Sequence, residues 1–259
     1  MKNLCRALFL AACAIGVASR VEAVPLLQLD IVGGHYDAAT QTIVSNGPNF
    51  TLVAVLTPQN NTSSSELSAL LGDTYYISAA VTPQLQTDAS IGSFTWNGST
   101  TDVTQDMVYG VPPIEAWTGA SSDPGDLSTH SVFPTYFTEF AFNFSPLLKA
   151  VTYDTATNPG GFTASSSGKS YYQTFNVTTN LSGPYAIHFD LYDTTFKNCI
   201  LIFCDEDVNN FAPFSHDAQS APGRTTSVPE PASLLLAGSG MALSGVLFRR
   251  RRVADVPQQ

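Results

Sequence analysis

Tyr185-Ala186-Ile187-His188-Phe189-Asp190-Leu191-Tyr192 is the stretch on which the fold class turns. Successive side chains of an extended chain point to opposite faces, so Tyr185, Ile187, Phe189 and Leu191 share one side. His188, Asp190 and Tyr192 share the other and read as outward-facing strand residues. The same period of two recurs upstream. Tyr75, Ile77, Ala79 and Val81 alternate with Tyr76, Ser78, Ala80 and Thr82, and Phe140, Phe142 and Phe144 alternate with Glu139, Ala141 and Asn143. Residues 50–57 are apolar on both faces, as a central strand requires, and 26–31, 41–44, 91–96 and 171–178 are further strand candidates.

Turn chemistry separates these runs. Gly33-Gly34, Ser45-Asn46-Gly47-Pro48, Asn97-Gly98, Asn158-Pro159-Gly160-Gly161 and Ser182-Gly183-Pro184 supply the positive or fixed φ that reversals need. Only residues 63–71 read as helix, with Ser64, Ser65 and Glu66 at its start. Many short strands divided this often predict an all-β fold, an antiparallel β-sandwich or jelly roll. It would span residues 24–220 as one domain, or as two small ones. Residues 102–131, rich in Pro, Gly and Ser, read as a long loop on its rim.

Hydrophobic residues make up 44% of the 259-residue chain and charged residues only 12%, enough apolar material for a sizeable core. The net charge is −10, and it is unevenly spread. Eighteen acidic residues lie from Asp30 to Asp217, against Lys149, Lys169, Lys197 and Arg224 in the interior of the chain. Such a surface repels phosphate backbones, so no nucleic-acid partner is expected, while divalent cations are attracted.

Both ends carry addresses. Lys2 and Arg6 precede an apolar run over 7–18, and Val21-Glu22-Ala23 offers small residues where a signal peptidase cuts, so 1–23 reads as a signal peptide and the mature chain as starting near Val24. Leu10-Ala11-Ala12-Cys13 offers a competing lipoprotein box, but with too short an apolar run before the cysteine. At the other end, a linker over 221–227 leads to Val228-Pro229-Glu230-Pro231, then to 17 uncharged residues over 232–248, then to Arg249, Arg250, Arg251 and Arg252, with a tail over 253–259. As a helix at about 1.5 Å per residue the uncharged run spans roughly 25 Å, near the lower limit for a single transmembrane helix. The arginines hold that end in the cytoplasm and put the preceding domain across the membrane. The two prolines keep 228–231 extended, as a peptide entering a protease-like cleft must be.

The order Pro-Glu-Pro, apolar helix, arginine cluster over 228–252 resembles the PEP-CTERM sorting signal of Gram-negative bacteria. The resemblance implies recognition by an exosortase, a membrane-embedded cysteine transpeptidase. It also implies export across the inner membrane, anchored transit, and delivery to the cell surface or the extracellular space, often beside exopolysaccharide. Thr129-His130-Ser131-Val132-Phe133-Pro134-Thr135 and Phe211-Ala212-Pro213-Phe214-Ser215-His216-Asp217-Ala218 are similar to the choice-of-anchor N surface proteins, which implies a displayed domain without an assigned activity.

Within the domain, chemistry is sparser. Cys199 and Cys204 are an even pair in an oxidising compartment; a disulfide between them requires 200–203 to turn, and paired free thiols are the alternative. Asp205, Asp207 and Asn209 alternate like the opening of a calcium loop, with Asp217 as a further ligand, although His216 stands where such a loop ends in Glu. No other cofactor is expected. His35, His130, His188 and His216 each have acidic neighbours, Asp37, Asp126, Asp190 and Asp217, but no nucleophile elbow, His-Glu-x-x-His or phosphate loop accompanies them. Trp96, Trp117, Tyr172 and Tyr192 are candidates for a sugar-stacking platform, with core packing as the simpler use. The leading expectation is a non-enzymatic adhesion or exopolysaccharide-associated protein with no catalytic residues. A calcium-assisted carbohydrate-binding module comes second and a secreted hydrolase third.

Overall fold

The period-two runs become strands of two sheets in a computed structural model, which describes residues 24–114, 125–200 and 203–223; side chains of 197–205 lie outside that description. The first sheet has the order β1 (Leu27–Ile31), β4 (Asn49–Leu56), β11 (Ser170–Leu181), β6 (Gly92–Trp96), β7 (Ser99–Asp102), with β10 (Lys149–Ala150) also on β11. The second has the order β2 (His35–Asp37), β3 (Thr42–Val44), β14 (Ala218–Gln219), β12 (Ala186–Ile200), β5 (Tyr75–Thr82), β9 (Thr135–Phe142), β8 (Val108–Gly110), with β13 (Phe203–Phe211) also on β12. Pairing is antiparallel except between β14 and β3.

The sheets face one another across one apolar core. Ile187, Phe189 and Leu191 of β12 and Tyr75, Ile77, Ala79 and Val81 of β5 meet Leu27, Leu29, Leu52, Ala54 and Leu56 of β1 and β4. Trp96 is wedged between Phe140 of the opposite sheet, at 4.3 Å between ring centroids, and Phe175 of its own, at 4.5 Å. Residues 50–57 do form a central strand, since β4 lies between β1 and β11. The one predicted helix is α1 (Ser64–Gly72), started by a capping box in which Ser63 and Glu66 bond each other's backbone.

Each sheet is covered over part of its outer face. Over the first lies the segment 151–168: the backbone of Tyr153 and Thr155 bonds the side chain of the buried Gln28, and Tyr153 and Gly160 bond Asp30. Over the second lie residues 125–134 and 212–217, with Leu127, Val132 and Phe133 packed on Ala80, Phe137 and Tyr192. This corrects two expectations. The region 102–131 is not simply a rim loop: it contributes β8 to a sheet edge and then covers a sheet face. His188, Asp190 and Tyr192 point away from the main core as expected, yet all three are buried beneath that cover.

The cover also removes the sugar platform as drawn. Trp96 belongs to the core and Tyr192 is buried, while Tyr172 packs edge-on against Phe162; Trp117 lies outside the described residues. The signal peptide expected over 1–23 and the transmembrane helix expected over 232–248 also fall outside the described residues. Among the described residues no helix is long and apolar enough to cross a membrane.

Candidate metal centre

β12 places His188 and Asp190 two residues apart and therefore on one face. Their partners on β5 are the small residues Ala80 and Ser78, which leave room above the sheet for an imidazole and a carboxylate. Ser78 Oγ donates to Asp190 Oδ2 at 2.8 Å and fixes that carboxylate. The cover supplies the rest. A tight turn, in which Val132 and Phe133 N–H both bond Thr129 C=O, throws His130 inward, with positive φ at His130 (27°) and Ser131 (71°). The short 3-10 turn Phe214–His216 then presents Asp217, whose carbonyl accepts from Ile43 as the chain enters β14. Phe214 stacks on the His130 ring at 4.2 Å.

Four polar groups converge. His130 Nε2 lies 3.1 Å from His188 Nε2 and 3.0 Å from Asp190 Oδ1. His188 Nε2 lies 3.4 Å from Asp190 Oδ1 and 3.8 Å from Asp217 Oδ2, and His130 Nε2 is 4.0 Å from the same Oδ2. All four ligand atoms fall within 4.8 Å of one another. Side-chain exposure is 8% for His130 and 4% or less for the other three, so water cannot screen this charge.

The electrostatics are correspondingly perturbed. Burial opposes ionisation of Asp190, but the His188 and His130 imidazoles outweigh it and hold that carboxyl well below the usual range. Burial, with the charge of Asp190 second, pushes Asp217 up to about 7. Burial disfavours the charged form of His188, yet Asp190 and Asp217 reverse the balance and raise it to about 10; His130 is raised in the same way, chiefly by Asp190. Positive charge is favoured at this point, but two N–H groups cannot be aimed at each other across 3.1 Å. Both oxygens of Asp217 are fully buried and make no hydrogen bond, while Asp190 Oδ1 meets only the two imidazole nitrogens, at 3.0 and 3.4 Å.

The predicted calcium set is not gathered. Asp217 closes on the two histidines and Asp190, whereas Asp207 and Asn209 lie on β13 rather than in a loop, and the Asp205 side chain is outside the described residues. The segment is a strand because β12 is long enough to pair with it from Tyr192 to Ile200, with a bulge at Asn209. Ile200 stands opposite Phe203, so the backbone reverses where a Cys199–Cys204 disulfide needs it to. His130, His188 and Asp190 were missing from the predicted ligand set. The readable signals were the His-x-Asp spacing on one strand face and the 129–135 and 211–218 stretches, which converge here.

Residues 227–252 match the PEP-CTERM protein-sorting motif. The motif implies export, membrane-anchored transit and processing by an exosortase, a membrane enzyme. Pro229, Glu230, Pro231 and Arg249–Arg252 all fall inside the match. No curated protein and no solved structure is similar to the chain, and the likeness to the choice-of-anchor N proteins draws no support from them.

Proposed function

We propose that the β-sandwich domain is a non-enzymatic component of the cell surface or extracellular matrix, associated with exopolysaccharide and released from its anchor at Pro229-Glu230-Pro231. The observation that carries this reading is the sorting motif at 227–252, directly behind a folded domain that ends near Ser220. In this scheme the signal peptide is removed near Val24, the helix over 232–248 holds the chain in transit, and the arginines keep its end inside. A Cys199–Cys204 disulfide then closes the β12–β13 hairpin after export.

The test is mass spectrometry of protein recovered from cells and medium, for the native chain and for one with Pro229, Glu230 and Pro231 replaced by alanine. The native chain should lack 1–23 and the helix over 232–248 and should lose two protons at the cysteines. The triple variant should accumulate with its tail intact. Unchanged processing of the variant would discard the reading.

One observation bears on a hydrolase. Ser215 Oγ lies 2.8 Å from His216 Nδ1, and His216 Nε2 lies 3.4 Å from Asp154 Oδ1. The order is that of a Ser–His–Asp site. But Ser215 and His216 are adjacent in one short turn, and the string ties the cover of one sheet to that of the other, which suits a clamp. We expect no ester or glycan turnover by the purified protein, and measurable turnover abolished by Ser215→Ala would replace this reading.

A further inference from the structure

We infer that His130, His188, Asp190 and Asp217 bind a single divalent transition-metal ion of the zinc class, which locks the 125–134 and 212–217 covers onto the second sheet.

Geometry makes the first argument. An ion with bonds of about 2.0–2.1 Å in a tetrahedron holds its ligand atoms roughly 3.3 Å apart. The five separations measured among these donors run from 3.0 to 4.0 Å and straddle that value. Small side-chain rotations suffice to close the set on a central ion. Calcium is the wrong occupant, because it takes six to eight oxygen ligands, whereas two of these four donors are imidazole nitrogens.

Unmet hydrogen bonding makes the second. Both oxygens of Asp217, with a side chain 1% exposed, make no hydrogen bond, and the imidazole nitrogens nearest its Oδ2 stand off at 3.8 and 4.0 Å. A buried carboxylate left this way is costly, and hydrogen bonds within the cluster do not relieve it. One doubly charged cation would neutralise both carboxylates and occupy the space that the two nitrogens face.

The surrounding contacts make the third. His130 Nδ1 lies 2.7 Å from the Ser128 carbonyl, which can only accept, so Nδ1 carries the proton and Nε2 is left free to ligate in the neutral ring. Asp190 is held by Ser78 in the same manner. A cavity of about 400 Å³, lined by Gln41, Thr82, Ser131, Gln219 and the two histidines, gives the ion a way in from solvent. Four protein ligands complete a tetrahedron, so the ion is structural and needs no exchangeable position.

The test uses the full chain purified without chelator. Elemental analysis and native mass spectrometry should find close to one zinc per chain after dialysis against zinc. Cobalt substitution should give the intense visible absorption of a four-coordinate ion. Chelation should lower Tm by on the order of 10 °C relative to protein holding metal a thousandfold above its Kd. Asp217→Asn should lose the ion and the chelator response. Once chelated, it should melt no lower than chelated native protein, because asparagine keeps the shape of the side chain and removes a buried carboxylate that makes no hydrogen bond. His130→Gln, on the cover and not in a strand, should lose the ion equally and serves if Asp217→Asn misfolds. The inference is overturned if the native chain takes up none of zinc, cobalt, nickel or manganese. It is also overturned if Asp217→Asn lowers the chelated Tm as far as it lowers the metal-loaded Tm, which is the signature of a self-sufficient ion-pair network.

Discussion

Asp30 shows how a single buried residue holds a cover in place. Its Oδ1 accepts from Ile31 and Gly160 N–H, each at 2.8 Å, and its Oδ2 accepts from Tyr153 Oη at 2.7 Å. Asp30→Ala leaves these donors without their acceptor and is expected to cost on the order of 3 kcal/mol in urea unfolding; Tyr153→Phe removes one bond and should cost about 1 kcal/mol. Burial outweighs the hydrogen bonds and raises the pKa of Asp30. The folded chain therefore keeps this proton after the unfolded chain has lost it. The contribution of Asp30 to stability is full below about pH 4 and declines as pH rises through the raised value. Urea midpoints followed upward from pH 4 should fall more steeply for the native chain than for Asp30→Asn.

Among the elements, the ones set by local chemistry were the ones readable in advance. Asn97-Gly98 joins β6 to β7 with Trp96 opposite Ser99, and φ is positive at both residues (48° and 88°), as a two-residue turn in a right-twisted hairpin requires. The start of α1 was legible for the same reason, because a capping box involves residues only three apart. Ser63→Ala should cost about 1 kcal/mol, measurable as a shift in urea midpoint. Gly92 is different. It has φ of 118°, and a Cβ there would sit 2.1 Å from the Asn180 carbonyl oxygen on β11. Gly92→Ala is expected to cost 3 kcal/mol or more, with reduced yield of folded protein, because the obstacle is backbone that cannot rotate away. Nothing around Gly92 in the chain announces that constraint. It comes from β11, some ninety residues downstream.

At the scale of the molecule, two layers of strands each carry a partial cover on the outer face, and the sorting motif follows them in the sequence. A chain stopped after Ser227 keeps the sandwich and loses the match at 227–252. It should be recovered on fractionation as free exported protein, whereas the full chain passes through a membrane-bound form. Appearance of the stopped chain in the membrane fraction would mean that the sandwich carries its own anchor. The covers explain why the acidic, Thr-rich surface concealed a site. His130 and His188 are 58 residues apart, and Asp217 comes from a third segment, so no local pattern links them.

Alternation and turn residues determined by themselves that the chain makes strands and which face of each strand is apolar, since both depend on neighbours within a few positions. The C-terminal sorting motif was likewise legible, because a proline pair, an apolar run and a charge cluster follow one another in simple sequence order. What only tertiary structure decided is the fate of the polar faces. A strand's periodicity says that His188 and Asp190 point away from the core, but not whether water or another segment meets them there. That depends on which distant loops find apolar purchase on the sheet, here Leu127, Val132 and Phe133 against Ala80, Phe137 and Tyr192. Burial of that apolar patch is what draws two imidazoles and two carboxylates out of water and into one another's reach.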